Sequence, residues 1–181
     1  MFDDGRSKSV IFLAHCILNQ NSISDGTASF PGCAKEIVEL VSSCNVGIVQ
    51  MPCPELHCLG LDRGNVLGSS SPVVEENTRI REALGRHAFP DRIRDMARGV
   101  VFQISEYLRH GFDIKGVVGI NRSPSCGVDT TSKDNQEVAG EGLFIEALRD
   151  ELQEKAIRVR MVGVKASDMG EAVIIVRELL E

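Results

Sequence analysis

The sequence predicts a single three-layer α/β/α domain, residues 1–181, built on a mostly parallel, Rossmann-like sheet of about four to five strands. Short apolar runs rich in β-branched residues lack the polar alternation of half-exposed strands, as expected for strands that are covered on both faces. Amphipathic segments separate these runs, which is the order of a parallel sheet with right-handed crossovers. The predicted strands cover 10–15, 46–52, 117–120 and 159–164.

The segments between the predicted strands carry apolar residues at helical spacing. The first of them, 33–44, has Cys33 and Cys44 on its apolar stripe, and both cysteines are therefore assigned to the core. The other predicted helices cover 93–108, 144–152 and 172–180. Two stretches of loop composition, 61–72 and 123–142, lie beside further cysteines, and we expect both to be loops that form a site.

Composition limits the classes of partner. A net charge of −6 argues against binding to a nucleic-acid polymer, which requires a basic face. No apolar run is long enough to span a bilayer and no secretory signal is present, so the sequence predicts a cytoplasmic protein without a membrane partner. In that reducing compartment, the six cysteines are expected to be free thiols or metal ligands rather than disulfides.

Three cysteines stand where predicted strands end. Cys16 follows the first strand, Cys53 the second, and Cys126 lies a few residues beyond the third. Because the functional crevice of an open α/β sheet lies outside the carboxyl ends of its strands, these thiols are predicted to converge. Three protein ligands would hold a metal or cluster and leave one coordination position free. His15 precedes Cys16, is expected to point to the opposite face of an extended strand, and is given no catalytic role.

The residues around these thiols are suited to chemistry. Prolines flank Cys53 and stiffen its backbone, and Glu55 follows within reach of anything bound to the thiol. The string 123–127, Ser-Pro-Ser-Cys-Gly, surrounds Cys126 with hydroxyl groups that can donate to sulfur or to a substrate. Glycines in 140–142 open the next helix, whose amino end is a possible anion site.

Two other classes of function remain open from these residues alone. One is a non-catalytic structural metal site, for zinc or an iron–sulfur centre, that uses Cys53, His57, Cys58 and one further thiol. The other is a metal-free enzyme in which Cys126 is the nucleophile.

Four strings taken together resemble the domain-of-unknown-function 523 family, which includes the thiouracil desulfurase (desulfidase) enzymes. They are Cys16 with Asp25-Gly26, Cys53-Pro54-Glu55 followed by 59–63 (Leu-Gly-Leu-Asp-Arg), Ser-Pro-Ser-Cys-Gly at 123–127, and Gly140-x-Gly142. The resemblance covers roughly the whole chain. The chain resembles a divergent member of the family, because it has Ile23-Ser24-Asp25-Gly26 where the thiouracil enzymes usually carry Arg-Tyr-Asp-Gly.

The resemblance implies a [4Fe–4S] cluster held by Cys16, Cys53 and Cys126, with catalytic roles for Glu55 and Ser123. It also implies a small thiolated substrate such as thiouracil, from which sulfur is removed as sulfide by non-redox hydrolysis. An iron without a protein ligand would polarise the C=S bond. Glu55 would activate the attacking water, and Ser123 would orient the substrate or relay a proton.

Overall fold

A four-stranded parallel sheet forms the centre of the computed structural model, which describes residues 2–181. Its strands lie in the order β2-β1-β3-β6, and β4 and β5 form a separate antiparallel hairpin. The strands are β1 (Ser9–Leu13), β2 (Gly47–Gln50), β3 (Asp113–Ile120), β4 (Thr130–Lys133), β5 (Gln136–Ala139) and β6 (Met161–Val164). The predicted parallel sheet is confirmed.

Helices cover both faces of the sheet. They are α1 (His15–Leu18), α2 (Lys35–Ser43), α3 (Pro54–Leu59), α4 (Val73–Leu84), α5 (Phe89–Arg109), α6 (Leu143–Glu154) and α7 (Met169–Leu180). On one face α2 packs against α7, and on the other α5 packs against α6. This is the predicted three-layer α/β/α arrangement. None of the helices in the described part of the chain is long and apolar enough to cross a membrane.

The central strand β1 shows why the apolar runs form buried strands. Val10, Ile11, Phe12 and Leu13 are all buried, because β1 pairs with β2 on one side and β3 on the other and helices lie above and below it. The crossover after β1 returns to β2, whereas the crossover after β3 leads to β6. The connections therefore diverge between β1 and β3, and a crevice is expected at the carboxyl ends of these two strands.

Three features differ from the sequence expectations. Cys33 precedes α2 and is only half-buried, and Cys44 caps the carboxyl end of the helix and is exposed, so their assignment to the core is wrong. The helix begins later and ends earlier than the apolar stripe suggested. The segment 123–142 contains the hairpin β4–β5, whose tight turn is made by Asp134 and Asn135 with positive φ.

The amino end of α6 is joined to the loop that carries Cys126. The amide of Leu143 donates to the Pro124 carbonyl at 3.0 Å, and that of Phe144 donates to the Ser125 carbonyl at 2.9 Å. These bonds satisfy amides that a helix start otherwise leaves free. The expectation of an anion site at this helix end is therefore wrong, and the bonds instead fix the position of the Cys126 loop.

Gly142 allows α6 to lie close to the Ser125 carbonyl group, and replacing this glycine tests the packing. A Cβ at Gly142 would overlap the carbonyl group of Ser125. The φ of Gly142 is −77°, which any residue adopts, so the effect of Gly142→Ala is steric. We expect Gly142→Ala to lower the free energy of unfolding by about 1–3 kcal/mol in urea denaturation. The control is Gly99→Ala in α5, where a Cβ meets nothing within 4 Å and should stabilise the helix by up to about 1 kcal/mol. Equal stability of the two variants would contradict this packing.

Candidate functional site

A cleft lies at the carboxyl edge of the sheet, where the topology places the crevice. Its empty volume, counted out to the solvent at its mouth, is about 830 Å³. Residues that follow all four strands of the sheet line it: His15 and Cys16 after β1, Cys53 and Glu55 after β2, 120–126 at the end of β3, and 165–167 after β6. The three cysteines predicted to converge do share this cleft.

Each of the three cysteines is fixed by a different local device. Cys16 lies in the single helical turn α1. Cys53 is the N-cap of α3, where its Sγ accepts the amide of Leu56 at 3.4 Å and Pro54 occupies the first helical position. Cys126 is held in the loop bonded to α6, and Ser125 Oγ lies 3.6 Å from its Sγ. Backbone geometry thus directs three thiols from distant parts of the chain into one space.

Burial in one cleft raises the pKa values of these three thiols. Burial, and then the neighbouring Cys53, raise the pKa of Cys16 to about 12. Burial and then Glu55 raise the pKa of Cys53 to about 11. Burial, followed by Cys53 and Cys16, raises the pKa of Cys126 well above its ordinary value. Because burial, and then the neighbouring acidic groups, disfavour the thiolate form, these thiols stay protonated at neutral pH in the absence of a bound cation.

This result bears on the metal-free alternative. A nucleophilic cysteine needs a lowered pKa or an adjacent base that removes its proton. The pKa of Cys126 is shifted in the opposite direction, chiefly by burial, and its Sγ lies 3.6 Å from the hydroxyl of Ser125, which is not a base. Neither feature is that of an activated nucleophile.

Glu55 occupies the centre of a buried hydrogen-bond network. Its side chain lies in the first turn of α3 and is 9% exposed. Oε2 accepts Ser24 Oγ at 3.2 Å and Arg63 Nε at 3.1 Å. Oε1 accepts Ser125 Oγ at 2.6 Å and Ser123 Oγ at 3.4 Å. Four donors thus fill the acceptor positions of one carboxylate at the wall of the cleft.

The two serines of the Cys126 loop differ in their contacts. Ser125 is buried and makes the shorter bond to Glu55. Ser123 is half-buried and lines the cleft, and its Oγ also accepts the amides of Cys126 at 3.0 Å and of Ser125 at 3.3 Å. Ser123 therefore stabilises the turn that carries Cys126 as well as contacting Glu55. The sequence interpretation gave Ser125 only a general hydrogen-bonding role.

Two further polar groups at the site had no assigned role from sequence. Arg63 is 2% exposed and forms an ion pair with Glu55, and Ser24 is also buried against that carboxylate. Arg63 was noted only as the last residue of a string in the family resemblance. No periodic pattern marks it, because it lies in a segment of loop composition. Its role depends on tertiary partners.

The expectation that His15 faces away from the site is wrong. His15 begins the helical turn α1 instead of extending β1, so it lines the cleft beside Cys16. Its Nε2 is buried and has no hydrogen-bond partner in residues 2–181. Burial, with smaller contributions from His57 and Arg63, lowers the pKa of His15. An unpartnered buried nitrogen is costly and is a group that a bound ligand could satisfy.

Cys33, Cys44, Cys58 and His57 lie outside the cleft. His57 is exposed, and its Nδ1 lies 2.8 Å from the carbonyl oxygen of Cys53. Across residues 2–181, no three His, Cys, Asp or Glu side chains come together as a site for a single metal ion. The set proposed for a structural metal, Cys53 with His57 and Cys58, is therefore not assembled.

The three cleft thiols fit an iron–sulfur cluster by the chemistry of their donors. Thiolates are the usual ligands of such clusters, and a cluster takes each thiolate on a different iron, so its ligands need not meet at one point. N–H donors to the Cys53 sulfur are also present, from the Leu56 amide and from Arg63. Such hydrogen bonds orient and tune metal ligands. Cys16, Cys53 and Cys126 are the residues that could hold the group.

Comparisons with known proteins place few constraints on this site. No protein-family profile matches the chain. An uncharacterized protein of Methanocaldococcus jannaschii is 27% identical over 123 residues, which cover 68% of this chain and 70% of that protein. Among solved structures, the [4Fe-4S]-dependent thiouracil desulfidase TudS is similar to this chain at 17% sequence identity and a TM-score of 0.41. The alignment covers 94% of this chain and 99% of the TudS chain.

The raised thiol pKa values predict slow alkylation of the cleft cysteines in metal-free protein. A thiol with a pKa near 11 carries about 100-fold less thiolate at pH 8 than one near 9. In iodoacetamide labelling followed by peptide mass spectrometry, the exposed Cys44 should react first, and Cys16, Cys53 and Cys126 at least about 100-fold more slowly. In urea the difference should vanish. Labelling of Cys126 as fast as Cys44 would instead support an activated nucleophile.

Proposed function

We propose that this protein is a [4Fe–4S]-dependent desulfidase, a divergent relative of the domain-of-unknown-function 523 enzymes, which replaces the sulfur of a small thiocarbonyl compound by oxygen. One observation carries the proposal. Three thiols from three strand ends share a cleft with a buried carboxylate, and the hydroxyl and guanidinium groups around that carboxylate also contact the thiols. This combination supplies both a cluster-binding set and an acid–base group.

The reaction is a hydrolysis. Water adds its oxygen to the carbon of C=S and the sulfur leaves as hydrosulfide, so a carbonyl compound and sulfide form without transfer of electrons. When bound, the cluster would supply an iron that lacks a protein ligand, a soft Lewis acid for the thiocarbonyl sulfur. Cys16, Cys53 and Cys126 would hold that group, and the side chains around it would carry out the proton transfer and orient the substrate.

Glu55 is the base in this proposal. Its Oε2 is held by Arg63 and Ser24, whereas Oε1 carries the weakest bond of the four, the 3.4 Å contact from Ser123. A water that replaces this contact would donate to Oε1, which then takes the proton as the water attacks. Ser123, half-buried and lining the cleft, is placed to orient the substrate or pass the proton onward.

The rest of the cleft offers both apolar and polar contacts to a small substrate. Ile23, Val73 and Ile120 line it together with polar groups such as Ser29 and Asn77. Apolar side chains that contact a ligand, with polar groups that fix its orientation, are typical of small-molecule sites. A thiolated pyrimidine such as thiouracil can use both kinds of contact, through its ring and through its N–H and carbonyl groups, and presents a soft sulfur.

The cluster ligands are tested by single substitutions. Anaerobically prepared protein should be brown and contain about four irons and four acid-labile sulfides per chain. Cys16→Ser, Cys53→Ser and Cys126→Ser should each lose most of the iron. Cys44→Ser and Cys58→Ala should retain it, because neither thiol lies in the cleft. Stoichiometric zinc without labile sulfide, or loss of iron in Cys58→Ala to the extent seen in Cys53→Ser, would contradict the assignment.

The role of Glu55 is tested by separating catalysis from cluster binding. Glu55→Gln should keep the iron content while sulfide release from 2- or 4-thiouracil, followed by methylene blue, falls by about 10²–10⁴-fold. Ser123→Ala should reduce it less if the hydroxyl only orients the substrate. The matched control is Glu151→Gln, which neutralises a buried, arginine-paired carboxylate outside the cleft and should leave turnover unchanged. Normal turnover in Glu55→Gln would remove this residue from the mechanism.

A further inference from the structure

Arg63 is the most deeply buried cation of the cleft, and the backbone is distorted to place it there. Its side chain is 2% exposed. Its φ is +56°, a left-handed conformation that a non-glycine residue adopts rarely and at an energetic cost. The Arg63 carbonyl accepts a 2.8 Å bond from Arg79, which is itself paired with Glu76 on α4. This hydrogen bond holds the loop after α3 in the conformation that places the Arg63 side chain in the cleft.

Every donor position of the Arg63 guanidinium is used. Nη1 donates to the carbonyls of Gly60 at 2.8 Å and Leu61 at 3.1 Å, which orient the group within its own loop. Nη2 donates to the Ser22 carbonyl in the segment after β1, and its second contact is Cys53 Sγ at 3.8 Å. Nε donates to Glu55 Oε2 at 3.1 Å. One planar group therefore contacts a candidate ligand sulfur and the candidate base at the same time.

We infer that Arg63 is a positioning residue for the proposed reaction: it orients the Glu55 carboxylate through Nε and places a positive charge and an N–H donor beside the Cys53 sulfur through Nη2. The inference rests on the proposed function. It assigns Arg63 two effects that a purely structural arginine would lack, one on the geometry of the base and one on the electronic properties of the group that Cys53 holds.

The two effects follow from general chemistry. A base whose oxygen is fixed by a rigid planar donor loses efficiency when that donor is removed, and a misplacement of about 1 Å can cost about 10²-fold in rate. Hydrogen bonds and positive charge near a ligand sulfur stabilise the more negative, reduced form of an iron–sulfur cluster, and so raise its reduction potential. Lysine supplies one compact charge and cannot reproduce five fixed donors in a plane.

The first test is Arg63→Lys in the anaerobically prepared, cluster-loaded protein. We expect iron content close to that of the wild type, kcat for thiouracil about 10²-fold lower and KM changed only a few-fold, because the chemical step depends on the orientation of Glu55. Arg98→Lys is the control, since it alters an arginine beside another buried carboxylate, Glu151, on the outer helices. Wild-type kcat in Arg63→Lys would overturn the positioning of Glu55.

The second test isolates the effect on sulfur. Arg63→Met alone leaves Glu55 buried and unpaired, so the comparison is made between Glu55→Gln and the double variant Glu55→Gln/Arg63→Met, which removes both charges. The midpoint potential of the cluster should be more negative in the double variant than in Glu55→Gln. Equal potentials would overturn the contact with Cys53.

These outcomes are separable from failure of the proposed function. A wild-type protein that binds no cluster contradicts the proposed function and, with it, the inference. A wild-type protein that binds the cluster and releases sulfide, but whose kcat and potential do not respond to Arg63, contradicts the inference alone. A loaded wild-type protein that releases no sulfide contradicts the proposed activity, while the shift in potential still supports or overturns the role of Arg63 at the sulfur.

Discussion

The buried carboxylate of Glu55 joins segments that follow three different strands. Ser24 reaches it from the chain after β1, Ser123 and Ser125 from the loop after β3, and Glu55 itself follows β2. Arg63 provides the compensating charge. Removing one partner of a buried ion pair typically costs about 3–5 kcal/mol, because the other charge is left in a medium of low polarity. The shape of the cleft therefore depends on the same group that the proposed chemistry uses.

The sequence was sufficient to predict the parallel sheet and the convergence of three thiols. Strands covered on both faces must be apolar throughout, and the ends of such runs mark the edge where a crevice forms. Cys16, Cys53 and Cys126 could be placed for this reason alone. The pairing of Glu55 with Arg63 could not be predicted in the same way. A buried arginine in an irregular loop has no periodic sequence pattern, and its role becomes visible only from the groups that it contacts.

The incorrect expectations share a physical cause, which is that local backbone changes redirect a side chain. His15 was expected on an extended strand, but the chain turns into a helix one residue earlier and brings it beside Cys16. Cys33 and Cys44 match the spacing of a stripe that the helix does not fully occupy. The hairpin β4–β5 is short and polar, so its only local signal was the Asp134-Asn135 turn. Periodicity describes the middle of an element better than its ends.

The position of Cys126 depends on hydrogen bonds between its loop and the amino end of α6. The carbonyls beside Cys126 accept the amides of Leu143 and Phe144, and β3 is flanked on its outer side by β6. Residues 2–100 alone contain two of the three cleft thiols and neither of these supports. The three thiols can therefore meet only after the later elements have folded, so the cluster of the proposed function would bind to the folded protein.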